Sequence, residues 1–147
     1  MAPMSADERG LPGSFDLTQK HLVLFVDDDP KILASIERLL VTEPYELLTT
    51  EKPEQVLQWV QEKVVSLIIS DQAMPGKLGT DLLEEVRTRS PATLRAIVTA
   101  YPEGAKLLRR QSQDDLCVIT KPWDVDHLKR TIRKLLHDRE KGKGASS

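Results

Sequence analysis

Short apolar segments alternate with amphipathic helical patterns from residue 21 to residue 140, and this alternation restricts the fold more than any other feature of the sequence. Each apolar segment is too short for a helix and is bounded by polar or turn residues, which is typical of a strand. The predicted strands are HLVLFV (21–26), YELLTT (45–50), VVSLIIS (64–70), LRAIVT (94–99) and LCVIT (116–120). Strands that alternate with helices predict a parallel sheet whose right-handed crossovers place helices on both faces.

The connecting segments show the spacing of amphipathic helices. In the first of them Ile32, Ile36 and Leu39 recur at helical intervals, and the second has Pro53 in its first turn. The predicted helices cover 30–43, 53–63, 79–89, 102–111 and 124–140, of which the fourth is short and polar. The sequence therefore predicts an α/β fold, a doubly wound five-stranded parallel sheet of the (βα)5 type.

The size and composition of the chain fit a single globular domain. Of the 147 residues 39% are apolar and 30% are charged, and the net charge of -2 gives no reason to expect nucleic acid as a partner. The single Cys117 fits a reducing compartment, and no apolar stretch is long enough to cross a membrane. We expect a cytoplasmic protein without membrane contact, with a flexible leader at 1–20, the domain at 21–138 and a flexible tail at 139–147.

Polar side chains stand at the ends of four predicted strands. Asp27 and Asp28 follow the first strand, Asp71 follows the third, Thr99 ends the fourth and Lys121 follows the fifth. In doubly wound sheets the carboxyl ends of the strands meet at one edge, where ligands bind. At about 4 Å and an effective dielectric constant near 20, each pair of like charges costs roughly 4 kcal/mol, so we expect a bound cation to offset the repulsion.

These side chains suit a hard divalent cation and a phosphoryl group. Mg²⁺ or Mn²⁺ is held by carboxylates, water and phosphate oxygens, and Asp27, Asp28 and Asp71 offer the carboxylates. A carboxylate such as that of Asp71 can also attack phosphorus, which would form an acyl phosphate. Lys121 and Thr99 could donate hydrogen bonds to the phosphoryl oxygens.

Several other polar or aromatic residues have structural interpretations. Asp29 precedes a proline at the first helical position and is predicted to cap that helix. His21, His127 and His137 share no site and are predicted to lie at the surface. Trp123 follows the fifth strand and either packs locally or faces a partner.

Four segments of the chain, in this order, resemble the receiver domain of bacterial two-component response regulators. They are VLFVDDDP, LIISDQAMPGKLGTDLL, AIVTAY and VITKPWD, and each lies at the end of a predicted strand. The likeness extends over roughly residues 21–138 and implies a flavodoxin-like fold with strand order 2-1-3-4-5. It also implies a signalling switch in a phosphorelay, not an enzyme, that a sensor histidine kinase or a phosphotransfer protein phosphorylates.

The resemblance implies a role for each matching side chain. Asp71 corresponds to the phosphoacceptor of the family. Asp27 and Asp28 correspond to its acidic pair, so that Asp28 would bind Mg²⁺ directly and Asp27 directly or through water. Thr99 corresponds to the hydroxyl that moves toward the phosphate, and Lys121 to the lysine that binds it.

Two backbone positions also match the family, and one position departs from it. The resemblance implies that the carbonyl of Ala73 completes the metal site and that Pro122 is a cis-proline. Many members have an aromatic residue three positions before the lysine, whereas this chain has Val118, which is too small to act as a rotating gate. An output partner is expected on the surface formed by the fourth helix, the fifth strand and the fifth helix, and a homodimer is left open.

Two other functions stay open as alternatives. Phosphohydrolases with an aspartate nucleophile also use strand-end aspartates, Mg²⁺ and a lysine, but their Asp-x-Asp signature continues with Thr or Val where this chain has Lys31. The second alternative is a degenerate receiver that acts only as a protein-binding scaffold. Nucleotide binding is disfavoured because no G-x-G-x-x-G follows the first strand and MPGKLG lacks the glycine and the Ser/Thr of a P-loop.

Overall fold

Five parallel strands form one sheet, and the computed structural model describes residues 21–101, 103 and 116–142. In chain order the strands are β1 (Leu22–Val26), β2 (Glu46–Thr50), β3 (Leu67–Asp71), β4 (Leu94–Thr99) and β5 (Cys117–Thr120). They lie in the order β2-β1-β3-β4-β5, and every neighbouring pair is parallel. The predicted strand order 2-1-3-4-5 is confirmed.

Four helices are present within the described residues. They are α1 (Pro30–Leu39), α2 (Pro53–Glu62), α3 (Gly79–Arg89) and a C-terminal helix (Val125–Gly142). The helix predicted over 102–111 lies outside the described residues except for residue 103. In the part of the chain that the structure describes, none of these helices combines the length and the apolarity needed to cross a bilayer.

The helices cover both faces of the sheet and enclose two apolar cores. On one face, side chains of α1 and the C-terminal helix pack against the sheet, and on the other face those of α2 and α3 do so. β1 contributes to both cores because alternate side chains of a strand point in opposite directions: Val23 and Phe25 face one core, Leu24 and Val26 the other. Because helices bury both faces of the sheet, we expect a functional site at the ends of the strands.

The first helix ends at Leu39, earlier than the predicted end at residue 43. The amide of Leu40 still donates to the carbonyl of Ile36, at 2.9 Å, and the chain then turns toward β2. In this turn the buried carboxylate of Glu43 accepts two hydrogen bonds of 2.8 Å from the guanidinium of Arg133. The ion pair joins the turn to the C-terminal helix, a contact that the helical spacing of residues 30–43 could not reveal.

The C-terminal helix runs to Gly142, beyond residue 139, where the sequence predicts a flexible tail. Its last turns are tied to the start of β1, because Nε2 of His21 lies 2.9 Å from Oε2 of Glu140. On the other side of the ring, Nδ1 lies 2.8 Å from Oγ of Ser66. His21 is 4% exposed, so its predicted surface position is wrong. The end of the helix covers His21, and this contact between distant parts of the chain could not be predicted from residue spacing.

Replacing Tyr45 with phenylalanine is expected to raise the free energy of unfolding by about 0.5–1 kcal/mol, because the hydroxyl is buried without a partner. Tyr45 is 6% exposed, and its Oη has no hydrogen-bond partner among the described residues. Burial, followed by the charge of Glu43, raises the pKa of the phenol. Urea unfolding of Tyr45→Phe measures the effect. Tyr101→Phe is the control, because the side chain of Tyr101 is 73% exposed and its replacement should leave the free energy of unfolding unchanged. A less stable Tyr45→Phe would mean that the hydroxyl has a partner in solution.

Candidate functional site

The polar residues predicted at the strand ends do meet at one edge of the sheet. Asp71 at the end of β3 pairs with Val98 of β4, and Thr99 at the end of β4 pairs with Thr120 of β5. Because neighbouring strands are parallel, the residues that follow them leave the sheet on the same side. The carboxylates that follow β1, the carboxylate that ends β3 and the ammonium that follows β5 therefore share one edge.

Three carboxylates form the acidic cluster of this edge. Asp27, Asp28 and Asp71 each offer one oxygen, and these oxygens lie within 4.8 Å of one another. Asp27 is 2% exposed and Asp71 is 4% exposed, whereas Asp28 is open to solvent. Like charges at such distances repel, and partial burial weakens the screening by water. The cluster therefore costs free energy unless a cation or a proton offsets it.

Asp27 shows that cost most directly. Its Oδ1 accepts a hydrogen bond of 2.9 Å from the amide of Asp29, but its Oδ2 is buried and has no hydrogen-bond partner among the described residues. Burial raises the pKa of Asp27 to about 6, with a further contribution from the charge of Asp71, although the Asp29 amide opposes the rise. A buried carboxylate oxygen without a donor could serve as a ligand for a cation.

Lys121 provides the positive charge of the site. Its Nζ lies 2.8 Å from Oδ1 of Asp71, which links the end of β5 to the end of β3. Burial lowers the pKa of the Lys121 ammonium, but the hydrogen bond to Asp71 and the charges of Asp71, Asp27 and Asp28 outweigh it and raise the pKa. Among the described residues, the ammonium of Lys121 faces three carboxylates, so this group of side chains keeps an excess of negative charge.

The donor set fits a divalent cation that prefers oxygen. Asp27, Asp28 and Asp71 present carboxylate oxygens only, and the orphaned Oδ2 of Asp27 is one of the atoms that a cation would satisfy. Mg²⁺ and Mn²⁺ take such ligands together with water. The residues present therefore suit either ion.

The remaining predicted residues lie around this cluster. The carboxylate of Asp29 accepts a hydrogen bond of 2.9 Å from the amide of Lys31 and caps α1. The peptide bond between Lys121 and Pro122 is cis. Thr99 is 5% exposed, and its Oγ1 accepts a hydrogen bond of 3.2 Å from the amide of Tyr101. Ala73 is exposed in the loop after β3.

The positions in doubt at the sequence level are also placed. Val118 is half-buried in β5 and pairs with Ile97. Trp123 packs locally: its ring meets that of Phe25 edge-on, with the ring centroids 6.1 Å apart.

The loop between β3 and α3 contains a functional candidate that sequence reasoning missed. Helix α3 begins after Leu78, whose side chain cannot cap it. The amide of Thr80 donates instead to the side chain of Gln72, the residue that follows Asp71. Gly79 starts the helix so close to β3 that a Cβ atom there would lie 2.2 Å from the carbonyl oxygen of Asp71. The sequence has no capping residue directly before the helical segment GTDLLEEVRTR, and this absence was the signal that another residue caps α3.

Comparisons with known proteins agree with this architecture. The sequence model of one family, described as the response regulator receiver domain, matches residues 23–133. Over 113 residues the chain is 32% identical to the hydrogenase transcriptional regulatory protein HoxA of Cupriavidus necator. The aligned region covers 76% of this chain and 23% of HoxA. The chain thus spans about a quarter of the length of that curated relative.

Solved structures give the same result. The signal receiver domain of an HD domain-containing protein from Pseudomonas fluorescens Pf-5 superposes with a TM-score of 0.74 and 26% identity, over 87% of this chain and 95% of that chain. The response regulator TrrA from Thermotoga maritima, in complex with Mg²⁺-BeF, gives a TM-score of 0.68 and 30% identity, over 78% of this chain and 98% of that chain.

Proposed function

The chain belongs to the family of response regulator receiver domains, and on that premise we propose that it is a phosphorylation-dependent switch whose phosphoacceptor is Asp71. One observation carries the proposal. The carboxylate of Asp71 is buried at the end of β3, 2.8 Å from Nζ of Lys121, and belongs to the acidic cluster with Asp27 and Asp28. The proposed nucleophile Asp71, the ammonium of Lys121 that orients it and the carboxylates that could bind a metal ion therefore lie close together.

In the proposed reaction, a carboxylate oxygen of Asp71 attacks the phosphorus atom of a phosphohistidine or of a small phosphodonor. The bond between phosphorus and the donor breaks, and the donor leaves with the electron pair. Before the reaction Lys121 fixes Asp71 through Oδ1. Afterwards its ammonium and the hydroxyl of Thr99 donate hydrogen bonds to the phosphoryl oxygens, which add negative charge and new acceptors.

We propose that Asp27, Asp28 and Asp71 hold Mg²⁺ or Mn²⁺, and that the backbone carbonyl of Ala73 is a further ligand. When bound, the ion would offset the negative charge of the carboxylates and of the phosphoryl group. The complex of TrrA with Mg²⁺-BeF supports this part of the proposal by likeness. The orphaned oxygen of Asp27 supports it from this chain itself.

The proposed donor is a sensor histidine kinase or a phosphotransfer protein, in the cytoplasm, and the chain accepts the phosphoryl group without turning over a substrate. The signal would reach an output partner through β5 and the C-terminal helix, since the amide of Lys121 donates to the carbonyl of Thr99 at 2.8 Å. The part of this surface at 104–115 lies outside the described residues. Val118 is too small to swing as an aromatic gate would, so we propose that the backbone hydrogen bond between Lys121 and Thr99 contributes to the coupling.

Addition of beryllofluoride with Mg²⁺, or of acetyl phosphate with Mg²⁺, is expected to give a saturable change in the fluorescence of Trp123. Trp123 lies two residues after Lys121 and contacts Phe25, so it senses rearrangement at the end of β5. A Trp59→Phe background removes the second tryptophan, and Trp123→Phe in that background is the control for the reporter. Phosphorylation that is equally fast in EDTA, or no response with either reagent, would contradict the proposal.

A further inference from the structure

The first turn of α3 takes its cap from a residue far back in the loop. The cap position is held by Leu78, whose side chain makes no capping hydrogen bond. Instead Oε1 of Gln72 accepts a hydrogen bond of 2.9 Å from the amide of Thr80, and the carbonyl of Gln72 accepts one of 3.0 Å from the amide of Gly79. Two amide groups that a helix start leaves unpaired are therefore satisfied by one residue.

That residue directly follows the proposed phosphoacceptor. The amide of Gln72 donates a hydrogen bond of 3.0 Å to the carbonyl of Val98, which continues the β3–β4 ladder beyond Asp71. The carbonyl of Asp71 accepts a hydrogen bond of 2.8 Å from Oγ of Ser70, and Gly79 packs directly against it. The peptide after Asp71 is thus held by β4 on one side and by the first turn of α3 on the other.

We propose that Gln72 is a positioning residue for Asp71. Its side chain clamps the peptide after Asp71 to the start of α3, and this keeps the carboxylate where Lys121 and the acidic cluster meet. Rotation of this peptide would displace the reacting oxygen, and a misplacement of about 1 Å can cost on the order of 100-fold in rate. The inference rests on the proposed function of Asp71 and adds a residue that does not itself touch the phosphoryl group.

A residue that only stabilises α3 would behave differently from a positioning residue. Loss of a cap lowers the melting temperature, but it leaves the reaction of the folded protein unchanged. Loss of positioning lowers the rate constant of phosphorylation at saturating Mg²⁺ and also weakens Mg²⁺ binding, because Asp71 belongs to the acidic cluster. The two roles therefore separate when binding, rate and melting are measured on the same variants.

Two substitutions of similar size test the clamp. Gln72→Met keeps the length of the side chain but has no acceptor for the amide of Thr80. Gln72→Glu keeps the acceptor, places a negative charge where the helix dipole favours it, and can accept from the hydroxyl of Thr80. Gln58→Met is the matched control, because Gln58 lies exposed on α2 and bonds only within that helix, donating to Glu62 at 3.0 Å and accepting from Gln55 at 3.5 Å.

Phosphorylation by acetyl phosphate is followed below the melting temperature of every variant, and Mg²⁺ affinity is read from Trp123 fluorescence. For Gln72→Met we expect the rate constant at saturating Mg²⁺ to fall about tenfold and the Mg²⁺ dissociation constant to rise about threefold. Gln72→Glu is expected to restore the rate constant to within about twofold of the wild type.

The possible failures are distinguishable. If the wild type is labelled on Asp71 and Gln72→Met reacts as fast as Gln58→Met, the positioning role is overturned while the proposed function stands. Equal losses in Gln72→Met and Gln72→Glu would also overturn it, because the acceptor would not be the cause. A wild type that cannot be labelled would overturn both proposals, since a positioning role needs a reacting Asp71.

Discussion

Replacement of Asp71 by asparagine is expected to abolish phosphorylation by acetyl phosphate, with a loss of at least about a thousandfold in rate. The side-chain amide of asparagine has nearly the shape of the carboxylate. It is neutral, however, and its oxygen is too weak a nucleophile to attack phosphorus. It also removes the ion pair in which Nζ of Lys121 lies 2.8 Å from Oδ1 of Asp71. In the proposed reaction of the wild type, the acyl phosphate would form on Asp71 as acetate leaves with the electrons of the broken bond.

Mass spectrometry of the intact protein and of its peptides measures this effect. The wild type is expected to gain one phosphoryl group on the peptide that contains Asp71, and hydroxylamine should remove it because an acyl phosphate is labile. Asp81→Asn is the matched control, since Asp81 is an exposed acid in the first turn of α3 and should be labelled normally. Labelling of Asp71→Asn to the wild-type extent would place the phosphoacceptor elsewhere.

Replacement of Asp27 by asparagine is expected to stabilise the protein when no metal ion is present, while it weakens Mg²⁺ binding. The buried Oδ2 of Asp27 has no hydrogen-bond partner among the described residues, and burial raises the pKa of the acid from 3.8 to about 6. By linkage such a shift corresponds to at most about 3 kcal/mol of lost stability at neutral pH. The amide keeps the acceptor for the Asp29 amide but brings an NH₂ group that also needs a partner, so we expect a gain of about 1–2 kcal/mol.

The sign of the pH dependence follows from the direction of the shift. Folding raises the pKa of Asp27, so in the window from 3.8 to about 6 the folded protein binds more protons than the unfolded chain. The ionisation of Asp27 therefore lowers the stability of the wild type as pH rises through this window. The difference between Asp27→Asn and the wild type should be small at the acidic end, grow across the window and stay constant above it.

Chemical unfolding in EDTA and in saturating Mg²⁺ provides the measurement. In EDTA Asp27→Asn should be the more stable protein, whereas Mg²⁺ should stabilise the wild type more and reduce or reverse the difference. Asp28→Asn is the control, because Asp28 is exposed and its replacement should change the stability in EDTA by less than about 0.5 kcal/mol. A less stable Asp27→Asn in EDTA, or a difference that does not depend on pH, would contradict the interpretation of this carboxylate.

The prediction for Asp27→Asn describes a conflict between stability and the proposed function. We expect a neutral side chain at position 27 to give the more stable metal-free protein, whereas the proposed metal site needs the carboxylate of Asp27. The proposed function explains why the chain retains an orphaned oxygen in a buried place. Strained or unpaired groups of this kind collect at functional sites rather than in the apolar core.

Most of the fold could be predicted from local pattern. Helix α3 begins and ends at the residues that the sequence predicts, Gly79 and Arg89, and β4 does so at Leu94 and Thr99. Strand order was predicted through the resemblance to a family rather than from periodicity. The end of α1 was predicted too late, because Glu43 leaves the helical path to pair with Arg133.

The strand-end residues of the candidate site could also be named in advance, because parallel strands bring their carboxyl ends to one edge whatever their side chains are. Gln72 could not be named, because its role depends on a contact between its side chain and the amide of Thr80, eight residues further along the chain. His21 was misplaced for the same kind of reason, since its burial depends on Glu140 at the far end of the sequence.

The sequence alone thus determined which segments form strands and helices, and it determined which acids, hydroxyl and lysine stand at the strand ends, because both follow from residue types at short spacing. Only the tertiary structure decided that Oδ2 of Asp27 has no donor among the described residues, that Lys121 reaches Asp71, and that Gln72 closes the loop onto α3. These are distances between side chains from different elements. Packing of the whole domain fixes such distances, and no local pattern encodes them.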